Sequence, residues 1–526
     1  MKGKGVGAGT AGRTPMAGRL TIACRALAVA VVFVCLAVPA GVRAADDSAA
    51  GGGAVAAAWR ALTTTDVEAA HALLLGNDPA TVPGVDAPFV ATLEAAYSHA
   101  LAQARTVTSY PGYVATLGEF ANSMNDGHIW SRPRYAEAGL EFAGIEFRPP
   151  SIHWAGLIVA KRGSEWIIAR EDATVVSESL AGARLTECDG QAIDDFARET
   201  LGRYRVVWSV EAMQVLAAPW LLVDEDNPFI KRPDSCTVRT ATGVAKITLN
   251  WKRVSREKFL GLISDGHGHA GFGIRAVGPG YWIGLESLSG KAPTVIDAAK
   301  TQEDKLRAAP FVVIDLRGNS GGADSYGRDL ADVLYGPAYT RAVLGPPEEE
   351  SGGCPEAWRA SPENIAAVED MAKKFAAAGE TQPAKDSGAA AAAMRAALEQ
   401  HRALTAPLVC ARSRSRPLAP ARSLMPGRVI VLTDSVCFSS CINTVGFFRK
   451  LKATLAGQTT GADTHYSEVR EIPLPSGLST FSTLQSIDPA QPLHIGPYVP
   501  DFPYGGDISD TAGVEKWVRE TVVRAL

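Results

Sequence analysis

Two short apolar runs constrain this chain most. Residues 311–316 (FVVIDL) and 428–433 (RVIVLT) are almost continuously hydrophobic, and each breaks into a turn of small and polar residues. A strand that is apolar on both faces must be covered on both faces, so it belongs inside a sheet flanked by helices. A helical pattern follows each run, at 326–334 and at 441–453 (CINTVGFFRKLKA). An earlier strand-like run, YWIGLESL from residue 281, leads into the amphipathic TVIDAAKTQEDKLRAA. This alternation predicts a parallel or mixed sheet in a layered α/β core.

The rest of the chain has other textures. A chain of 526 residues with 46% hydrophobic content suits two to four domains. Residues 57–124 repeat apolar positions at helical spacing, so 45–135 reads as a helical N-terminal domain. Residues 136–255 read as short strands. Within them ARLTEC, the turn Asp189-Gly190 and a helix from Ile193 resemble the later half of a PDZ domain, whose groove takes a peptide by strand addition. Residues 256–526 form the α/β core, interrupted at about 340–425 by an Ala-rich and basic insertion read as surface helices and loops. The fold class is therefore multidomain α/β.

Residues 1–44 read as a secretory signal peptide. Basic residues precede the apolar stretch 26–38, and Val42-Arg43-Ala44 offers a cleavage site after Ala44. These residues hold six basic side chains and no acid, so their removal takes the formal net charge from -4 to -10. An acidic chain gives no electrostatic reason to bind nucleic acid. No later stretch is long and apolar enough to cross a membrane. A periplasmic or secreted location follows. Six cysteines remain after the leader and suggest disulfides. Pairing within domains gives Cys188–Cys236 and Cys354–Cys410. It leaves Cys437 and Cys441, whose close spacing argues against a bond. The absence of any CxxC pair argues against structural zinc.

Two segments carry chemistry. In residues 311–322 (FVVIDLRGNSGG) a strand ends in a glycine loop whose backbone N–H groups can face an oxyanion. GNSGG looks like the nucleophile segment of chymotrypsin-like proteases, but it lacks the Asp and lies in an α/β context, so Ser320 is rejected. In residues 427–450 a strand runs through SVCFSS into a helix, and a serine there stands where the helix N-terminus favours negative charge. Taken alone, Ser439 and Ser440 would read as helix caps.

Together the two segments resemble the C-terminal-processing (tail-specific) and tricorn-core serine proteases. DxRxNxGG at 315–322, a later strand with a serine-rich turn, LPSGLSTF at 474–481 and GPYVPD at 496–501 all fit that pattern. The resemblance implies a helical region, a PDZ-like domain and a catalytic core of the ClpP/crotonase kind. It places Ser439 as nucleophile, with Ser440 next in line, and Gly321, Gly322 and the Ser440 N–H as oxyanion donors. It implies hydrolysis of unfolded or C-terminal peptides, without cofactor or metal. The lysine base of the tail-specific branch is missing, since residues 455–470 contain none. The histidine-bearing DGH motif of lysine-lacking members is matched at 126–128, so His128 becomes the expected base. His465 is the alternative base. Asp463, Glu468 and His494 are candidates to orient it. Asp265, His267 and His269 invite a metal reading, but their flanking glycines favour a plain loop. Two other functions remain open: a catalytically inactive peptide-binding protein on the same scaffold, and an acyl-ester hydrolase.

Overall fold

The computed structural model describes residues 47–134, 141–142, 145–146, 152–174, 179–263, 268–346, 355–409 and 421–526. The leader, Cys354, Cys410, Asp265 and His267 lie outside the described residues. The chain from Gly51 to Leu526 forms one compact unit. No helix among the described residues is long and apolar enough to cross a membrane.

The two apolar runs sit side by side in a six-stranded sheet. Its order is Phe272–Val277, Gly280–Leu285, Phe311–Asp315, Arg428–Thr433, Thr454–Gly457, Phe502–Pro503. The first pair is antiparallel and the others parallel, with Val312 beside Val429 and Ile314 beside Val431. Alternate residues leave opposite faces of a strand. Val312, Ile314 and Val431 therefore pack on the helices Ala292–Thr301, Asp324–Tyr335 and Ser440–Lys450. Val313, Ile430 and Leu432 pack on Val514, Val518 and Val522 near the C-terminus. Continuous hydrophobicity is what a strand covered on both faces requires.

The β-rich region carries a sheet ordered Gly243–Thr248, Ser235–Thr240, Arg184–Cys188, Glu165–Glu171, Leu157–Arg162. The expected strand, tight turn and helix occur in sequence, with Asp189 and Gly190 at φ 47° and 84° and the helix starting at Ile193. Cys188 and Cys236 face each other across paired strands and are bonded.

The helical region consists of Asp47–Asn77, Ala87–Ala104 and Tyr110–Asn122. Asp86 and Ser109 accept backbone N–H groups at the starts of the second and third helices. Its core does not close on itself. Trp59, Leu74, Tyr113 and Phe120 share one cluster with Tyr466, Leu478, Phe481 and Ile487 from the far end of the chain. Strand Ser131–Pro133 pairs with Ser479–Thr483, so packing crosses the boundary drawn at residue 135. The insertion contains the helices Pro362–Ala377 and Thr381–Glu399, which share a small core of their own.

Candidate active site

The polar side chains of the DxRxNxGG segment build the glycine loop. Arg317 is fully buried and folds back on the Asp315 carboxylate, with Nη2 2.8 Å from Oδ2. Trp282 Nε1 donates to the same oxygen at 3.0 Å. Asn319 Nδ2 donates to Leu285 O at 2.7 Å, and Asn319 Oδ1 accepts the Gly321 N–H at 2.9 Å. Asp434, at the end of the neighbouring strand, accepts the Gly318 N–H at 2.9 Å. Burial pushes the Asp434 carboxyl up to about 7 against those backbone bonds. The loop is thereby fixed to the ends of the strands on either side of its own, at Leu285 and Asp434.

One expectation changes here. The Gly321 N–H is engaged by Asn319, so Gly321 does not offer it to an oxyanion in this structure. Gly322 is placed differently. Leu288 bonds Gly321 O and the Ala323 N–H on one side of the loop. In an extended segment the N–H and C=O of the residue between point to the other side. Gly322 O accordingly accepts the Ser440 hydroxyl at 2.7 Å. The Gly322 N–H therefore faces the nucleophile turn.

Ser439 occupies the junction between the Arg428–Thr433 strand's turn and the Ser440–Lys450 helix. Its φ of 55° and ψ of -134° are rare for a residue with a side chain, and its hydroxyl caps nothing. Such backbone costs about 1–3 kcal/mol and survives only where its surroundings enforce it. A Cβ on Gly321 would stand 2.9 Å from Ser439 Cβ and 3.0 Å from Phe438 O, so only glycine admits this approach. Ser440 is buried and its hydroxyl is engaged with Gly322. Of the two serines, Ser439 keeps the free oxygen. The doubt about Cys437 and Cys441 is also overturned. They form a disulfide with Cα atoms 5.3 Å apart, because Cys437 lies in the turn that folds back over the first helical residues.

His128 reaches this region from the end of the helical domain. Its Nδ1 lies 2.8 Å from Asp463 Oδ1 and 3.7 Å from Asp126 Oδ1, although the contact with Asp463 is poorly aligned for a linear hydrogen bond. Burial alone would lower the imidazole pKa. The Asp463 carboxylate, with Asp126 behind it, outweighs burial and raises it from 6.5 to about 9. Gly127 packs toward the ring of Phe438, the residue before Ser439. Among the described residues no hydrogen bond joins His128 to Ser439. Asp126 went unassigned from sequence. Its Oδ1 accepts the His128 N–H at 2.7 Å and its Oδ2 the Thr464 hydroxyl at 2.6 Å, tying the loop to the segment that carries Asp463. The Asp-Gly turn chemistry was the available signal. Asp126, His128 and Asp463 also place ligand atoms within 4.8 Å of one another, close enough to chelate a cation.

Among the described residues, the other candidates form no ion pair with His128. The His465 ring sits against Tyr466, with centroids 4.6 Å apart, and burial lowers its pKa. His494 is exposed and lies beside Thr464 on the strand antiparallel to Asp463–Thr464. Glu468 is exposed as a residue. Desolvation of its carboxyl, then Glu356 and Asp324 nearby, push it up to about 7. His269 pairs with Glu286 at 3.0 Å on the surface, with no described metal partner.

No curated protein matches the chain in sequence. Residues 282–489 match the model of peptidase family S41. The crystal structure of mature CPAF superposes with a TM-score of 0.55 at 14% identity, covering 88% of this chain and 97% of that one. Mature CPAF complexed with lactacystin gives 0.54 at 14% identity, over 89% and 99%. These structures share the fold, and the matched segment contains the glycine loop, the Ser439 turn and Asp463. Over residues 282–489 the chain is thus similar to peptidase family S41, and around that segment it shares its fold with mature CPAF.

Proposed function

We propose that this protein is an exported serine peptidase in which Ser439 attacks the peptide carbonyl and His128 serves as base. The observation that carries the reading is the backbone of Ser439, which holds an uncapped hydroxyl at a helix N-terminus against the glycine loop. His128 takes the serine proton as the C–O bond forms and returns it to the leaving amine. Water then attacks the acyl-enzyme by the same route. Asp463 orients the ring through Nδ1 and stabilises the imidazolium, which leaves Nε2 for the serine. The Gly322 and Ser440 N–H groups hold the oxyanion, each worth on the order of 3 kcal/mol. The two disulfides suit an oxidising compartment, and unfolded or C-terminal peptides are the substrate class.

The test is labelling of the mature protein with a fluorophosphonate, with the adduct located by mass spectrometry. Labelling at Ser439 that is lost in Ser439→Ala and falls steeply in His128→Ala is expected. A native protein that takes no label would leave the peptide-binding alternative standing. Turnover of small esters without peptides would favour the acyl hydrolase.

A further inference from the structure

Two buried cysteines bracket the nucleophile, and the mechanism above makes no use of them. Neither Cys437 nor Cys441 is exposed, and they are joined to each other. Between them stand only Phe438, Ser439 and Ser440. Each of these has a position to hold. The Phe438 ring lies where a Cβ on Gly461 would meet it at 2.6 Å, and close to Gly127 beside the base. Ser439 needs its left-handed backbone. Ser440 bonds the glycine loop. Cys437 O also accepts the Gly461 N–H at 2.9 Å, two residues from Asp463. The covalent ring thus encloses the turn and touches both segments that assemble the site.

A disulfide stabilises a whole fold by an entropy that grows with the logarithm of the loop it closes, so this very short loop contributes less to the fold than a long one does. The geometry around the turn gives it a local role besides. Cys188–Cys236 spans 48 residues and lies outside the site, so it offers the contrast.

We propose that the Cys437–Cys441 disulfide is a positioning element of the nucleophile turn, and that Ser439 reaches full reactivity only after this bond has closed. The proposal rests on Ser439 being the nucleophile. Closure is thiol–disulfide exchange with an oxidised dithiol protein. One cysteine thiolate attacks the partner's disulfide, the second cysteine resolves the mixed disulfide, and the partner leaves as a dithiol. Two electrons and two protons pass from the cysteines to the partner. Because both sulfurs are buried, exchange precedes packing of the turn. A peptidase made under reducing conditions is therefore held back until it folds in an oxidising compartment.

The experiment compares wild type with Cys437→Ala/Cys441→Ala, Cys437→Ser/Cys441→Ser and Cys188→Ala/Cys236→Ala. Fluorophosphonate labelling rates are taken per native molecule by near-UV circular dichroism, beside melting temperature and the kcat and KM for a peptide. Both 437/441 variants should label at Ser439 at least about 10-fold more slowly, with kcat reduced and KM and melting temperature little changed. The 188/236 variant should melt lower and label at the wild-type rate. Wild-type labelling rates in native 437/441 variants would overturn the proposal. So would failure of both variants to fold, since the bond would then hold the fold and not the turn. A wild type unlabelled at Ser439 would instead sink the nucleophile assignment itself.

Discussion

As the proposed base, His128 must accept a proton, and its surroundings decide at what pH it can. With its pKa raised to about 9, the ring is mostly protonated at neutral pH. The base form grows as pH rises, so kcat/KM should climb toward a plateau above about pH 9. Stability should run the other way. A raised folded pKa contributes stability that is full below the ordinary value of 6.5 and lost as pH passes about 9. Asp463→Asn should move the activity limb down toward 6.5, measured as a pH–rate profile. An unmoved limb would remove Asp463 from its orienting role. The proposed nucleophile and base were nameable from short strings, because SVCFSS before a helix and DGH after one each carry local chemistry. Asp463 stood only as one of several nearby candidates. Nothing in the sequence says that a loop near residue 126 meets residue 463.

At the scale of elements, close approach separates two glycines that look alike in sequence. A Cβ on Gly321 would press on Ser439, while a Cβ on Gly327 would stand 2.2 Å from Thr444 Oγ1 on the facing helix. Gly321→Ala should therefore lose activity, on the order of 100-fold in kcat, through misplacement of the nucleophile. Gly327→Ala should lose stability, roughly 1–3 kcal/mol by chemical unfolding, because the Asp324–Tyr335 and Ser440–Lys450 helices must part. Equal effects of both changes on activity and stability would contradict this division. The glycine loop was readable as a loop. That Asn319 claims the Gly321 N–H, leaving Gly322 to face the turn, depends on a side-chain rotamer fixed by Leu285 O, and sequence spacing carries no rotamers.

Across the whole molecule, the proposed base His128 and the proposed nucleophile Ser439 come from regions about 300 residues apart, and a shared core joins those regions. Phe481 is fully buried in that core, 5.7 Å from Phe120 between ring centroids, and its strand pairs with the one that follows His128. Ser482 reinforces the join by donating to His128 O at 2.8 Å and accepting the Trp130 N–H at 2.8 Å. Phe481→Ala should cost about 3–5 kcal/mol. By calorimetry it should lower a single transition shared by the helical region and the core. Two separate transitions would show that the regions fold independently.

What the sequence determined by itself is whatever short range encodes. The apolar runs marked buried strands, the alternation after residue 280 marked the α/β layering, and the motifs marked the glycine loop and the serine turn proposed to carry the nucleophile. The tertiary structure decided the rest: which carboxylate meets His128, which glycine N–H faces Ser439, and that Cys437 and Cys441 bond across a turn. Each of these depends on contacts between segments distant in sequence or on backbone angles in a single turn. Such contacts arise from packing the whole chain, and no local pattern of residues records them.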